Sequence, residues 1–367
     1  MRFVITGGGT AGHINPALAV AQELRSSGHE VLYAGTPQGL ESRLIPQEGF
    51  TYMGFEASGF NRRKPLTALT STAKIALSAR RASVWLKAVE PDAVIGFGGY
   101  VSIPVGLAAS RQKIPLAIHE QNSTSGLANR FLAKRAQLIA LTYASAADDF
   151  STSGRIVITG NPVRATLFNA DPQSARISFD LPLDETVLLV FGGSLGALHL
   201  NEAIVANAEK LMSLPRLHIL HITGTRDFEM ISKMIADIPQ TRGRWHIIEY
   251  CDRMGDAYAA ADAVLSRAGA TTLAEIAALG KPALLVPYPH AAADEQTTNA
   301  RGLVDLKAAD MLADSELDEP VFMEKLCRLI TDTRYREDMR TAAQGLENAQ
   351  ARQKLTRLII ELVSGEG

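Results

Sequence analysis

Short apolar runs alternate with longer stretches of helical period along nearly the whole chain. In the first half the runs are Phe3–Thr6, Val31–Ala34, Ala93–Ile95, Leu116–Ile118, Leu138–Ala140 and Ile156–Ile158. In the second half they are Val187–Phe191, His218–His221, His246–Ile248, Ala263–Leu265 and Ala283–Val286. Runs of this length, rich in β-branched residues and separated by helical patterns, predict parallel strands covered on both faces. The expected fold class is therefore α/β, with two Rossmann-like doubly wound domains facing each other across a cleft. The join falls at Gly160-Asn161-Pro162-Val163-Arg164, where Gly and Pro interrupt the pattern. It gives a first domain over 1–163 and a second over 164–344. A long helical stretch from about Arg336 to Leu362 closes the chain. Its apolar positions Leu355, Leu358, Ile359, Ile360 and Leu362 suit a C-terminal helix, about 345–363, that packs back on the first domain; the alternative is that it closes the second.

Two of the strands run straight into glycine loops. Phe3-Val4-Ile5 leads into Gly7-Gly8-Gly9-Thr10-Ala11-Gly12-His13, and Val187–Phe191 leads into Gly192-Gly193-Ser194-Leu195-Gly196-Ala197. Each loop precedes a helix-forming run, so backbone N–H groups and the positive helix end are available to an anion. Gly7, Gly9 and Gly12 satisfy the G-x-G-x-x-G spacing of dinucleotide-binding proteins. The acid expected at the end of the second strand is missing, because Glu30-Val31-Leu32-Tyr33-Ala34-Gly35 carries its only carboxylate at the wrong end. His13 instead places a titratable ring at the mouth of the first loop, the alternative being a His that merely packs at the turn.

Composition narrows the class. With 46% apolar and 21% charged residues over 367 positions, the chain suits a globular protein of two ordinary domains. Cys251 and Cys327 are far apart and lack metal-ligand spacing, which argues for a reducing compartment. No apolar run reaches the roughly 18 residues that span a bilayer. Net charge is −2, unevenly spread: residues 1–163 hold 16 basic and 10 acidic side chains, the remainder 21 and 29. A basic half suggests an anionic surface as partner. Nucleic acid is a poor match, since interleaved aromatics and a recognition helix are lacking.

Several short motifs occur in order along the chain: Gly7–His13 with Asn15-Pro16, Ser58-Gly59-Phe60, Gly98-Gly99-Tyr100-Val101-Ser102, His119-Glu120-Gln121-Asn122, Gly160–Arg164, Gly192-Gly193-Ser194, Ser266–Ala270 with Glu275, and Asp294–Asn299. Together they resemble the peptidoglycan glycosyltransferases of the GT-B superfamily that move N-acetylglucosamine from UDP-N-acetylglucosamine to undecaprenyl-linked muramoyl-pentapeptide, lipid I. The resemblance implies inverting transfer to a carbon 4 hydroxyl, and the sequence, which has no Asp-x-Asp or His-rich cluster, leads to the expectation of no metal and no cofactor. It implies donor-binding roles for Thr10, Gly12, Asn122, Arg164, Ser194, Cys251, Ala270, Glu275, Asp294, Glu295 and Gln296. Gly8, Gly9, Gly99 and Tyr100 are implied as a phosphate loop for the acceptor. Leu195 and Leu198 stand where the family usually shows Gln and Arg, and Glu295 stands where His or Gln is common.

The residue types also fit this chemistry. A departing nucleoside diphosphate leaves negative charge that fixed donors must offset; Gly192-Gly193-Ser194 at a helix start supplies them, and Arg164 offers a cationic clamp or a plain ion pair. His13 is the expected base for the acceptor hydroxyl, since an imidazole titrates near working pH. His119 is a second acid or base, or a strand-end His satisfying backbone. Glu275 is either a ribose acceptor or a first-turn helix acid favouring the macrodipole. Cys251 contacts uracil through its backbone by resemblance, and is otherwise a small buried hydrophobe.

The helical run Leu66–Val89 carries Lys74, Arg80, Arg81 and Lys87 beside Trp85 and follows Arg62-Arg63-Lys64. It suits peripheral contact with the anionic inner leaflet at the cytoplasmic face of the cell membrane, or simply a sheet-covering helix with a solvated basic face. A UDP-sugar 2-epimerase, a non-catalytic nucleotide-sugar-binding protein and, last, a dehydrogenase are the competing functions.

Overall fold

The computed structural model describes residues 1–57, 66–193, 196–291, 294–344 and 350–365. The chain divides into two compact units, Met1–Arg164 with Asn348–Gly367, and Ala165–Glu347.

The first unit alternates strand and helix: β1 Arg2–Thr6, α1 Ala11–Ser26, β2 Glu30–Gly35, α2 Glu41–Gln47, β3 Thr51–Gly54, α3 Leu66–Val89, β4 Ala93–Gly96, α4 Ser102–Arg111, β5 Leu116–Glu120, α5 Leu127–Ala133, β6 Leu138–Leu141 and β7 Arg155–Ile158. Its parallel sheet has the order β3-β2-β1-β4-β5-β6-β7. Val4 pairs with Leu32 on one side and Val94 on the other. Phe3, Val4 and Ile5 are all fully buried, because helices cover both faces and the strand needs no polar side. One face packs Phe3, Ile5 and Tyr33 against Leu18 and Leu24 of α1. The other packs Val4, Val94 and Ile118 against Ala82 and Leu86 of α3 and Val105 of α4.

The second unit continues with α6 Pro172–Ser178, β8 Thr186–Phe191, α7 Leu198–Ala206, α8 Ala208–Met212, β9 Leu217–Ile222, α9 Phe228–Ala236, β10 Trp245–Ile248, α10 Met254–Ala260, β11 Ala263–Ser266, α11 Ala270–Leu279, β12 Ala283–Leu285, α12 Glu295–Val304, β13 Asp310–Met311, α13 Pro320–Thr331 and α14 Thr333–Gln344. Its parallel order is β10-β9-β8-β11-β12-β13. The strand order reverses between β1 and β4 in one unit and between β8 and β11 in the other. The glycine loops follow β1 and β8, and so sit at the switch points where open sheets bind ligands.

The last helix, α15 Ala351–Ser364, belongs to the first unit. Leu355 and Ile359 are fully buried in the α1 face of that core, and Arg352 Nε meets Glu23 of α1 at 2.7 Å. Burying side chains of this size contributes on the order of 1.5–3 kcal/mol each, so the helix is part of that unit's core.

Three elements differ from expectation. The stretch expected as one helix from Arg336 to Leu362 is two: α14 buries Met339 and Ala343 in the second unit, whereas α15 serves the first. Strand β3 was not expected because it is an edge strand whose residues are only half covered, leaving no apolar run. Strand β13 is an edge of two residues, too short to mark the sequence.

Candidate functional site

In the first unit, α1 begins immediately after the glycine loop. Thr10 is its N-cap in extended conformation, without a side-chain cap bond. His13 lies in the first turn, half-buried, with Nδ1 3.0 Å from the Gly8 carbonyl and 3.2 Å from the Thr10 hydroxyl. A carbonyl only accepts, so the contact places the proton on Nδ1 and leaves the Nε2 lone pair open among the described residues. Burial pushes the His13 pKa below 6.5; the Gly8 carbonyl and the carboxylates of Glu120 and Glu41 oppose that shift. The ring is thus a neutral imidazole near neutral pH. Beside it, Gly98 has φ +94°, and a Cβ there would come within 2.9 Å of His13 Cδ2 and 3.0 Å of Nε2. Gly99 also has positive φ, and a Cβ there would run into the Gly8 carbonyl. The Gly98 carbonyl accepts the buried Ser102 hydroxyl at 2.7 Å, fixing this second turn against the first. Tyr100 is half-buried and packs on Ile75, Ile103 and Ala128.

Under the loop lies Glu41, a fully buried carboxylate that the sequence did not single out. It accepts the Gly9 N–H at 3.2 Å, the Thr36 N–H at 2.9 Å and the Thr36 hydroxyl at 2.6 Å. The Gly9 N–H, expected to face an acceptor phosphate, is therefore already donated to a carboxylate. Gly8 leaves no room for a side chain over that same carboxylate. Such an acid pairs with loop amides only through folding, so Glu41 at the start of α2 gave no local signal.

His119 ends β5 with both ring nitrogens used: Nε2 donates to the Gly160 carbonyl at 3.0 Å, and Nδ1 accepts the Gln121 amide at 3.0 Å. Burial lowers its pKa to about 4. This is the strand-end His that satisfies local groups, without a free nitrogen for catalysis. Glu120 anchors the next loop, taking the N–H groups of Asn122 and Gly126 and the Asn129 amide at 3.2, 3.0 and 2.8 Å. Arg164 sits at the unit's end with Nη1 3.9 Å from Glu48 of the turn after α2.

In the second unit, a cavity of about 670 Å³ lies beyond the carboxyl ends of β8, β11 and β12. Its lining includes Gly192, Gly196 to His199, Arg226, Arg267, Gln296 and Asp314. Ser194 and Leu195 fall outside the described residues. Gly196 has φ +92°, and its missing side chain admits the Thr223 carbonyl and the Asp227 carboxylate. Behind the loop, the buried Asn201 amide donates to the Thr223 carbonyl and to Asp227, and its oxygen meets His221 Nε2 at 3.0 Å. Arg267 is 8% exposed and lies 2.5 Å from Asp314, whose other oxygen holds His199 Nδ1 at 2.8 Å; Asp318 meets His199 Nε2 at 3.2 Å. The carboxylates raise the His199 pKa above 6.5, Asp314 foremost. The result is an Arg267–Asp314–His199 chain along one wall.

Gln296 ties the cavity together. Its side-chain oxygen accepts the N–H groups of Ala268 at 3.2 Å and Tyr288 at 2.9 Å, joining the loops after β11 and β12 and leaving its NH2 as a donor. Asp294 is the α12 N-cap in left-handed conformation, and its carboxylate accepts the Thr297 hydroxyl at 2.6 Å; Glu295 follows it, half-buried, at the first position of α12. Ala270 opens α11 and Glu275 lies in the second turn, so the first-turn macrodipole reading of Glu275 does not hold. Glu275 is 7% exposed and accepts the buried Tyr258 hydroxyl at 3.0 Å. Cys251 follows β10, half-buried, and burial raises its thiol pKa. Cys251, Ala270, Glu275, Asp294 and Glu295 do not line the cavity that holds Gln296.

On α3, Lys74, Arg80 and Arg81 are exposed. Trp85 is turned partly inward, its ring 5.6 Å from Phe55, because it helps cover the sheet face. The helix's exposed apolar residues are instead Leu77 and Val84, 62% and 67% exposed. Among the described residues no helix is long and apolar enough to cross a membrane.

The glycosyltransferase family 28 N-terminal domain matches residues 3–141, and the family's C-terminal domain matches residues 187–355. A UDP-N-acetylglucosamine--N-acetylmuramyl-(pentapeptide) pyrophosphoryl-undecaprenol N-acetylglucosamine transferase of Halothermothrix orenii is 40% identical over 370 residues, covering 100% of both chains. The chain belongs to this transferase family. The relative from Desulforamulus reducens is 38% identical and covers 99% of each chain. Among solved structures, MurG of Acinetobacter baumannii matches with a TM-score of 0.73 at 30% identity, covering 98% of this chain and 99% of that one. A putative UDP-N-acetylglucosamine 2-epimerase from Listeria monocytogenes also reaches 0.73, but at 14% identity, so that likeness is of fold alone. In this transferase, Glu41, Arg267, His199 and Asp314 are residues that spacing did not assign. Arg267 alone left a trace, as a cation between a buried strand end and Gly269.

Proposed function

We propose that the protein transfers N-acetylglucosamine from UDP-N-acetylglucosamine to the carbon 4 hydroxyl of the muramoyl sugar of lipid I, with inversion, forming lipid II. The open Nε2 of His13, a ring whose Nδ1 is held by the Gly8 carbonyl, is the observation that carries this reading. As the acceptor oxygen bonds to the anomeric carbon, its proton passes to Nε2 and the bond to the diphosphate breaks, releasing UDP on the opposite face. The lowered pKa keeps the base unprotonated before the step. Negative charge growing on the diphosphate is met by loop N–H groups after β8 and by the Arg267 guanidinium. Glu275 receives the ribose hydroxyls, the backbone at Cys251 receives uracil, and the Gln296 NH2 donates to the sugar, with Asp294 and Glu295 beside it.

The first unit is assigned the lipid-linked acceptor and the second the nucleotide sugar. Contact with the anionic inner leaflet, from the cytoplasmic face, falls to Lys74, Arg80 and Arg81 around Leu77 and Val84, with Trp85 supporting the helix from within. Phosphatidylglycerol vesicles sedimented with the protein test that contact, which charge reversal at Arg80 and Arg81 should weaken.

The transfer is tested by incubating the protein with labelled UDP-N-acetylglucosamine and a short-chain lipid I analogue in the presence of chelator. Label in the lipid product is expected. Label found only in the 2-epimer of the nucleotide sugar points to an epimerase, and donor binding without chemistry points to a binding protein.

A further inference from the structure

The sheet of the second unit has another opening at the opposite end of its strands from the donor cavity. Thr186 begins β8, Asp262 precedes β11 and Lys281 precedes β12, and all three line a second cavity of about 730 Å³. Arg176, Arg216, Lys281, Arg336 and Arg340 line it against three carboxylates, Asp184, Glu185 and Asp262. Those carboxylates are already engaged. Asp262 pairs with Arg176 and Asp184 with Arg216, each at 2.8 Å, while Glu185 holds His218 at 2.9 Å.

The remaining cations have little counter-charge. Lys281 donates to the Ala261 carbonyl at 2.8 Å, and Arg336 donates to the Leu329 carbonyl at 2.9 Å and the Thr333 hydroxyl at 3.2 Å. Among the described residues, neither forms an ion pair. The only ion-pair partner of Arg340 among them is Glu337, three residues back on its own helix. Arg340 lies beside the end of α11, its Cγ 3.6 Å from where a Cβ of Gly280 would stand, and near enough to Lys281 for the two charges to repel.

We propose that this cavity is a second anion site, which binds a phosphate-bearing small molecule. Guanidinium forks and an ammonium on one concave wall match phosphate oxygens. Pro172, Leu214, Pro215 and Ile330 supply apolar wall for the rest of such a ligand, and the volume is that of a small-molecule site. In support, the Lys281 ammonium titrates at about 8, lowered by burial, with Arg340 and Arg176 adding to the shift against the pull of Asp262. A bound anion would relieve that repulsion. The assignment is independent of the transfer chemistry, since the two cavities share no lining residue among those described.

Calorimetric titration of the full chain with inorganic pyrophosphate tests the site. Two classes of binding are expected, one abolished by UDP and one retained. The retained class should weaken about tenfold or more, roughly 1.4 kcal/mol, in Lys281→Gln, which keeps a donor for the Ala261 carbonyl, and separately in Arg340→Gln. Lys281→Arg should restore it, which a purely structural role of the amine would not require. A single class of binding, or a second class indifferent to both substitutions, would overturn the assignment.

Discussion

The two glycine loops begin alike and end in opposite chemistry. Each follows a buried central strand, sits at the switch point of its sheet and opens a helix. Beneath the loop of the first unit lies the Glu41 carboxylate, which takes the Gly9 N–H, and at its mouth stands the neutral His13 ring. The loop of the second unit opens on a cavity walled by Arg267, Asp314 and His199, with Asn201 bracing it from behind. A strand, a glycine loop and a helix therefore supply backbone donors but do not fix the charge that meets them. That charge comes from residues far along the chain: Glu41 from the next helix, Arg267 and Asp314 from beyond β11 and β13. In the proposed reaction, the first loop holds the base and the second accepts the leaving diphosphate.

Removing the proposed base should separate the loops most sharply. His13→Ala is expected to lower kcat by about 100-fold or more while leaving UDP affinity unchanged; unchanged turnover would remove His13 from the mechanism. The parent rate should fall as pH drops through a value below 6.5, because burial lowers the pKa and only the neutral ring accepts a proton. Arg267→Gln acts on the other loop. Loss of a charge-assisted contact of roughly 1.5–3 kcal/mol should weaken UDP binding on the order of 10- to 100-fold, measured by calorimetry; a selective fall in kcat would place Arg267 elsewhere in the cycle.

Gly98→Ala probes the first loop alone. Its Cβ would crowd His13 at a positive φ, so a fall in kcat of roughly tenfold is expected, with donor KM preserved; a shift in donor KM alone would contradict this geometry. Glu275→Ala should instead raise donor KM, by roughly tenfold for one lost charged acceptor, with kcat little changed. The smallest effect belongs to His199. Its raised pKa gives stability that is complete below 6.5 and lost as pH rises through the folded value. The slope should be slight, since the ring is more than a third exposed in its pairs with Asp314 and Asp318. Thermal unfolding of His199→Gln across that range should lack it, and a slope equal to the parent's would assign the effect to another group.

Much of the fold is legible from the chain because buried parallel strands must be apolar on both faces. Phe3–Ile5, Val187–Phe191 and their neighbours have no solvated side to blur the pattern. The edge strands β3 and β13 escaped for the converse reason: half-covered or two residues long, they carry no apolar run. Helix α15 shows a middle case. Leu355, Leu358 and Ile359 mark an apolar face, but periodicity cannot say which core receives it, and contact with α1 and the Arg352–Glu23 pair decided that.

At the site, the positions of the two loops and the helix start that carries His13 can be read along the chain, because strand, glycine turn and helix start are local features. Tertiary structure alone decided which ring nitrogen of His13 is open, that His119 has none, that Gly9 faces a buried carboxylate, and that Arg267 shares Asp314 with His199. Each of these depends on a partner many residues away. Hydrogen bonds and ion pairs act over about 3 Å in space, and only folding brings such groups within that reach.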